Sequence, residues 1–168
     1  MILPFSSIEG STIEQACSTI AAAKKKRLGD AKLFDFIMQD DSELPGLHGI
    51  YMFFDADSAT CLYVGKNSSP QYIERIPWHF AVSEGSWQNH FLKYYRTHHQ
   101  SPSLFEAAQG ARNCHILLMP VPHELITKTE KFFRVFQKPL FNKLSASGRY
   151  LNSIPLDTNV GDAIRTRI

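Results

Sequence analysis

Residues 49–65 read GIYMFFDADSATCLYVG. Gly49 to Phe54 is rich in aromatic and β-favouring side chains, Asp55-Ala56-Asp57-Ser58-Ala59 is turn-like, and Thr60 to Val64 is apolar again. An extended run, a polar turn and a second extended run are the signature of a β-hairpin. Because side chains alternate along a strand, Ile50, Met52 and Phe54 share one face, taken as the core face. Tyr51 and Phe53 share the other, so Tyr51 is expected to face a cleft.

Outward from the hairpin, the pattern turns helical. Thr12 to Arg27 carries Ile13, Ala16, Cys17, Ile20, Ala21 and Ala23 at mostly three- and four-residue spacing, predicting an amphipathic helix stopped near Gly29. Lys24-Lys25-Lys26-Arg27 falls in its last turn, where cations complement the helix dipole; the run reads as a solvated helix end, with a phosphate-binding patch as the alternative. Lys32 to Met38 predicts a second short helix and Asp40 to Pro45 a loop. After the hairpin, Ser69-Pro70 offers a cap and first-turn proline for a helix through about Phe80, with Pro77 expected to kink or interrupt it. Glu84 to Gln100 and Ser103 to Gln109 read as helices. Cys114 to Val121, apolar and bounded by prolines, reads as a strand. In Glu124 to Gln137 the residues Leu125, Ile126, Thr129, Phe132, Phe133 and Phe136 recur with helical period, and from Ser145 the chain looks irregular. Three strands among helices predict an α+β chain.

Composition bounds the function. A chain of 168 residues supports one core, and 43% hydrophobic with 20% charged residues is ordinary for a globular protein. No apolar run approaches the roughly 18 residues of a membrane helix, and Met-Ile-Leu-Pro does not open a secretory signal, so the expected compartment is the cytoplasm, with no membrane partner. Cys17, Cys61 and Cys114 are odd in number and far apart, which predicts buried thiols rather than disulfides or a zinc cage. A net charge of +2 is compatible with a nucleic-acid partner and decides nothing alone.

Chemistry-bearing residues occur in a telling order: Gly49-Ile50-Tyr51, Tyr63-Val64-Gly65, Arg75 and His79, Glu130, and Asn142. Eleven residues separate the two tyrosines, and Arg75 and His79 stand four apart, on one helical face. Glu130-Lys131-Phe132-Phe133 then leads to Lys138-Pro139-Leu140-Phe141-Asn142. Together these resemble the GIY-YIG nuclease family, over more than half of the chain, with Val64 in place of isoleucine. The resemblance implies a small central three-stranded, largely antiparallel sheet flanked by helices. The chain then divides, within a single domain 1–168, into an N-terminal helical extension 1–45, a catalytic core 46–145 and a C-terminal tail 146–168.

The resemblance also implies an activity: divalent-metal-dependent hydrolysis of DNA phosphodiester bonds by an endonuclease. Such hydrolysis needs a nucleophilic water, neutralised phosphate oxygens and help for the leaving alkoxide, and a metal supplies part of each. Glu130, the motif's carboxylate, is implied to hold Mg²⁺ or Mn²⁺, hard cations that prefer oxygen. Tyr51 is implied as general base, its phenol needing a neighbour such as the metal, Arg75 or Lys66 to lower its pKa. Tyr63 would orient the water or phosphate and His79 would join the site. Arg75 would bridge phosphate oxygens with its planar fork. Lys66 is either a phosphate contact or a solvated turn lysine. Gly49 and Gly65 belong to the structural motif, and Asn142 is expected to brace the loop after the glutamate helix. Trp87 to His99, with its aromatics, histidines and cations, is a candidate DNA-contact surface, although aromatics at helical spacing are more often core. A restriction-type, stand-alone enzyme is favoured over a repair or mobile-element nuclease because no long DNA-binding tail follows Asn142. A homodimer is a possibility for cutting both strands. The competing reading is a catalytically silent DNA-binding or adaptor domain on the same scaffold.

Overall fold

A computed structural model describes residues 1–36, 48–57, 59–69, 71–142 and 151–168. The expected Asp40–Pro45 loop, Pro70, and the end of the expected Lys32–Met38 helix lie outside these residues. The chain is α+β. Four strands, β1 (Lys26–Arg27), β2 (Gly49–Phe54), β3 (Cys61–Asn67) and β4 (His115–Pro120), form one antiparallel sheet in the order β1-β4-β2-β3. The helices are α1 (Ile13–Ala22), α2 (Tyr72–Trp78), α3 (His90–His98), α4 (Leu104–Ala111), α5 (Ile126–Phe136) and α6 (Val160–Arg167).

The sheet therefore has four strands, not three. Helix α1 begins at a capping box between Thr12 and Gln15 and stops at Ala22, short of the lysine run. Lys25 folds back to donate to the orphan carbonyl of Ala21. Lys26 and Arg27 leave the helix and pair with Ile116 and His115 on β4, while their side chains bind Asp35 and Asp30. The Lys24–Arg27 run is thus not the last turn of a helix, and half of it is a charged edge strand. Two residues carry no period, so this strand has no signature in the sequence.

Strand β2 sits in the middle, and all of its side chains are buried. Its register sets Tyr51 between Gly65 and Leu118, and Phe53 between Tyr63 and Ile116; a shift after Phe53 brings Phe54 opposite Cys61. Ile50, Met52 and Phe54 join a core with Ile13, Ala16 and Ile20 of α1, Phe132 and Phe133 of α5, and Val160, Ala163 and Ile164 of α6. Tyr51 and Phe53 do not face an open cleft as alternation suggested. They belong to a second core with Tyr72 and Ile76 of α2, Phe91 and Tyr95 of α3, and Leu104 and Ala107 of α4. A sheet covered on both faces buries every residue of its central strand, a pattern more familiar from parallel sheets.

Helix α6 lies within the segment expected to be irregular. Asn159 caps it by accepting from the Asp162 backbone, and Val160, Ala163 and Ile164 recur at helical spacing over only eight residues, too few to stand out. Its start is tied to the N-terminal segment by Val160 N–H to Ser11 O and Gly161 N–H to Glu9 O.

Candidate active site

Tyr51 is the centre of the arrangement. Its ring lies over Gly65, its cross-strand partner; a Cβ built there would come within 2.5 Å of the Tyr51 Oη, so only glycine leaves the space. Tyr63 stacks beside it at 6.3 Å between ring centroids, and Tyr72 meets it edge-on at 6.5 Å. The Tyr51 Oη lies 2.6 Å from His79 Nε2, with both groups fully buried. Gly49, at φ 153°, opens β2 where a Cβ would strike the Tyr72 hydroxyl and the β4 backbone. Tyr72 donates from that spot to the carbonyls of Ile50 and Met119.

Helix α2 carries Arg75 and His79 against the same phenol. Pro77 ends it at Trp78 with a three-residue step, His79 N–H to Ile76 O. His79 is consequently the residue after the helix and still reaches Tyr51. The positive charge of Arg75 acts on the Tyr51 phenol, and its guanidinium lies 5.6 Å from the Trp78 ring centroid.

Across the hairpin, α5 supplies Glu130, only 7% exposed. One carboxylate oxygen is 2.9 Å from Arg134 Nη2 and the other 3.7 Å from Lys66 Nζ. Lys66 also donates to Thr127 Oγ1 at 2.8 Å. The Arg134 charge in turn acts on the Tyr63 phenol. Arg134 was not foreseen, although its position four residues after Glu130 is the i, i+4 spacing of a helical ion pair. Asn142 grips the edge of β3: it accepts from Val64 N–H at 2.7 Å and donates to Val64 O at 3.0 Å, so a side-chain amide takes the place of a neighbouring strand.

Burial dictates the protonation states. Desolvation, reinforced by the Tyr63 neighbour, pushes the Tyr51 phenol far above its usual 10; Arg75 pulls the other way and does not prevail. Burial likewise raises Tyr63. Desolvation, with Arg75 and His90 adding repulsion, lowers His79 to about 3. At neutral pH the pair is a protonated phenol donating to a neutral imidazole. That tautomer leaves the imidazole proton on Nδ1, which is buried without a partner.

The depressed His79 makes folding pH-dependent in a known direction. Between pH 6.5 and about 3 the unfolded chain holds a proton on this imidazole and the folded chain does not. The stability is fully present above pH 6.5 and is lost as pH falls, by about 1.4 kcal/mol per unit, levelling off below about 3. Denaturant unfolding of the His79→Gln variant at several pH values is expected to have a shallower slope than wild type in this window. Identical slopes would contradict the assignment.

Among the described residues no three His, Cys, Asp or Glu side chains gather as a metal cluster; Glu130 is the site's one carboxylate, beside Lys66, Arg75 and Arg134. The contacts of α3 also bear on its candidacy for DNA contact: Lys93 donates to Ser86 O, and Arg96 binds Glu84, Ser101 O and Pro102 O. These two cations hold the loops around their own helix, while Phe91 and Tyr95 are core. Compared with known proteins, the chain matches no family model, no curated protein and no solved structure.

Proposed function

We propose that this chain is a divalent-metal-dependent endonuclease of the GIY-YIG type that hydrolyses DNA phosphodiester bonds. The supporting observation is the Tyr51–His79 hydrogen bond of 2.6 Å in a site that also gathers Glu130 and three cations from α2, α5 and β3. Water attacks phosphorus, its O–P bond forms and the P–O bond to the leaving alkoxide breaks. Substrate has to bring the attacking water to the buried Tyr51 Oη, which then takes its proton while passing its own to His79 Nε2, so the phenol need not exist as a free phenolate and the departing alkoxide takes a proton from solvent. Arg75, Arg134 and Lys66 balance the charge on the non-bridging oxygens. The anionic phosphate offsets the repulsion that Arg75 exerts on a protonated His79.

Glu130 fits a hard cation that arrives with its substrate: a lone carboxylate among three positive side chains is a poor resident site, and phosphate oxygens change that balance. Mg²⁺ suits such a site because it keeps several waters and takes one or two carboxylates plus substrate phosphates. When bound there it would activate water and help the leaving oxygen. The decisive experiment is incubation of plasmid DNA with the protein and Mg²⁺, with and without chelator. Tyr51→Phe is expected to slow cleavage at least about a hundredfold while lowering stability by only about 1–3 kcal/mol, because the ring that fills the core is kept and only His79 Nε2 loses its partner. Tyr63→Phe supplies the comparison. If Tyr51→Phe cuts within a few-fold of wild type, the proton-relay role is lost.

A further inference from the structure

The outward face of α5 carries no acid. Thr127, Lys131 and Arg134 occupy its solvent side and the exposed Lys138 follows the helix, while Ile126, Thr129, Glu130, Phe132 and Phe133 point inward. Lys128 is set apart from this row, since its Nζ donates to Arg165 O. Lys131 lies in the middle of α5, and Lys138 comes two residues after its last residue, Phe136. The row begins at the site, because Lys66 Nζ bonds Thr127 Oγ1, one turn before Lys131. Lys131 and Lys138 make no ion pair among the described residues, and both are exposed. Lys138 also adopts φ 45°, a left-handed conformation in which glycine or asparagine is usual; here a lysine occupies it.

We infer that this row is a backbone-binding ridge: a strand of duplex DNA leaving the Glu130 site runs along α5, with its phosphates against Lys131 and Lys138. The inference rests on the nuclease reading only for the identity of the polyanion. Charge complementarity selects the occupant. Two exposed lysines without an acidic partner among the described residues, continuous through Thr127 and Lys66 with the site that gathers Arg75 and Arg134, match a regularly charged backbone. Such contacts position a duplex and read no sequence.

The test uses the full chain and labelled duplex DNA in chelator, so that binding is measured without cleavage. Wild type is expected to lose affinity steeply with salt. The double variant Lys131→Gln, Lys138→Gln is expected to flatten the slope of log K against log salt by about 1.8, two contacts at about 0.9 each. Lys24→Gln, on an exposed lysine elsewhere, is expected to leave it unchanged. Melting temperatures check that each variant folds. An unchanged slope in the double variant, or no DNA binding by wild type, overturns the ridge, as does a double variant that loses only binding to phosphatidylserine vesicles. Plasmid cleavage run in parallel separates the two readings: cutting with an unchanged slope defeats the ridge alone, and a flattened slope without cutting defeats the nuclease alone.

Discussion

Glu130→Ala is expected to abolish DNA cleavage, by a thousandfold or more on the scale of losing a metal ligand together with its activated water (~10³), while the protein still binds DNA. The charge balance makes the second half of this expectation specific. Removing the carboxylate leaves Lys66, Arg75 and Arg134 unopposed, so affinity for the phosphate backbone is expected to hold or tighten as the rate collapses. The fold should survive. Arg134 and Lys66 each keep about a third of the side chain in water, at 34% and 33%, and are not stranded by the loss of their partner. A stability loss of about 1–2 kcal/mol is expected from the broken charged contacts. Cleavage, anisotropy binding and thermal unfolding of the same preparation decide the matter. Cleavage near the wild-type rate, or weakened DNA binding in a folded variant, would sink the assignment.

Gly65→Ala is expected to be strongly damaging to both the fold and the site. The new Cβ would lie 2.5 Å from the Tyr51 Oη and 2.6 Å from Cε2. The ring has no free side to move toward, with Phe53 at 5.6 Å, Tyr63 at 6.3 Å and His79 at 5.5 Å between centroids. Overpacking of this kind costs about 3 kcal/mol. It also pulls the phenol away from His79, so activity is expected to fall about a hundredfold, as in Tyr51→Phe. A double-mutant cycle separates the clash from a backbone effect: Gly65→Ala should destabilise far less when Tyr51 is already alanine. Equal costs in both backgrounds would mean that the ring is not what the glycine accommodates.

The hairpin, α5 and β4 were legible because each carries enough residues for its period to emerge. Strand β1 was not, since Lys26 and Arg27 form a strand only because β4 offers an edge and Asp30 and Asp35 offer partners. The position of Tyr51 was half legible. Alternation separated it from Ile50 and Met52, but whether its face met water or another layer depended on α2, α3 and α4 closing over it, and no local pattern states that. The burial that followed reversed the electrostatic expectation, raising the phenol rather than lowering it, and transferred interest to His79. Pro77 marked a helix end correctly, yet the consequence for His79 depended on a three-residue closing step that spacing alone does not reveal. Arg134 was hidden for the opposite reason: a cation four residues after a glutamate is so common on helices that nothing marked it.

The sheet's two margins bear on how this protein behaves in concentrated solution. Along β3, Leu140 and Phe141 N–H groups bond to Cys61 and Leu62 carbonyls, and the Asn142 amide takes Val64. On the far side of β4, Met1 and Leu3 pair with Leu118, and the charged Lys26–Arg27 pair takes the positions beyond it. Among the described residues, much of each margin is already occupied, which shortens the row of N–H and C=O groups that serves as the usual template for fibril growth and strand exchange. Pairing between the sheets of two copies would first have to displace these segments.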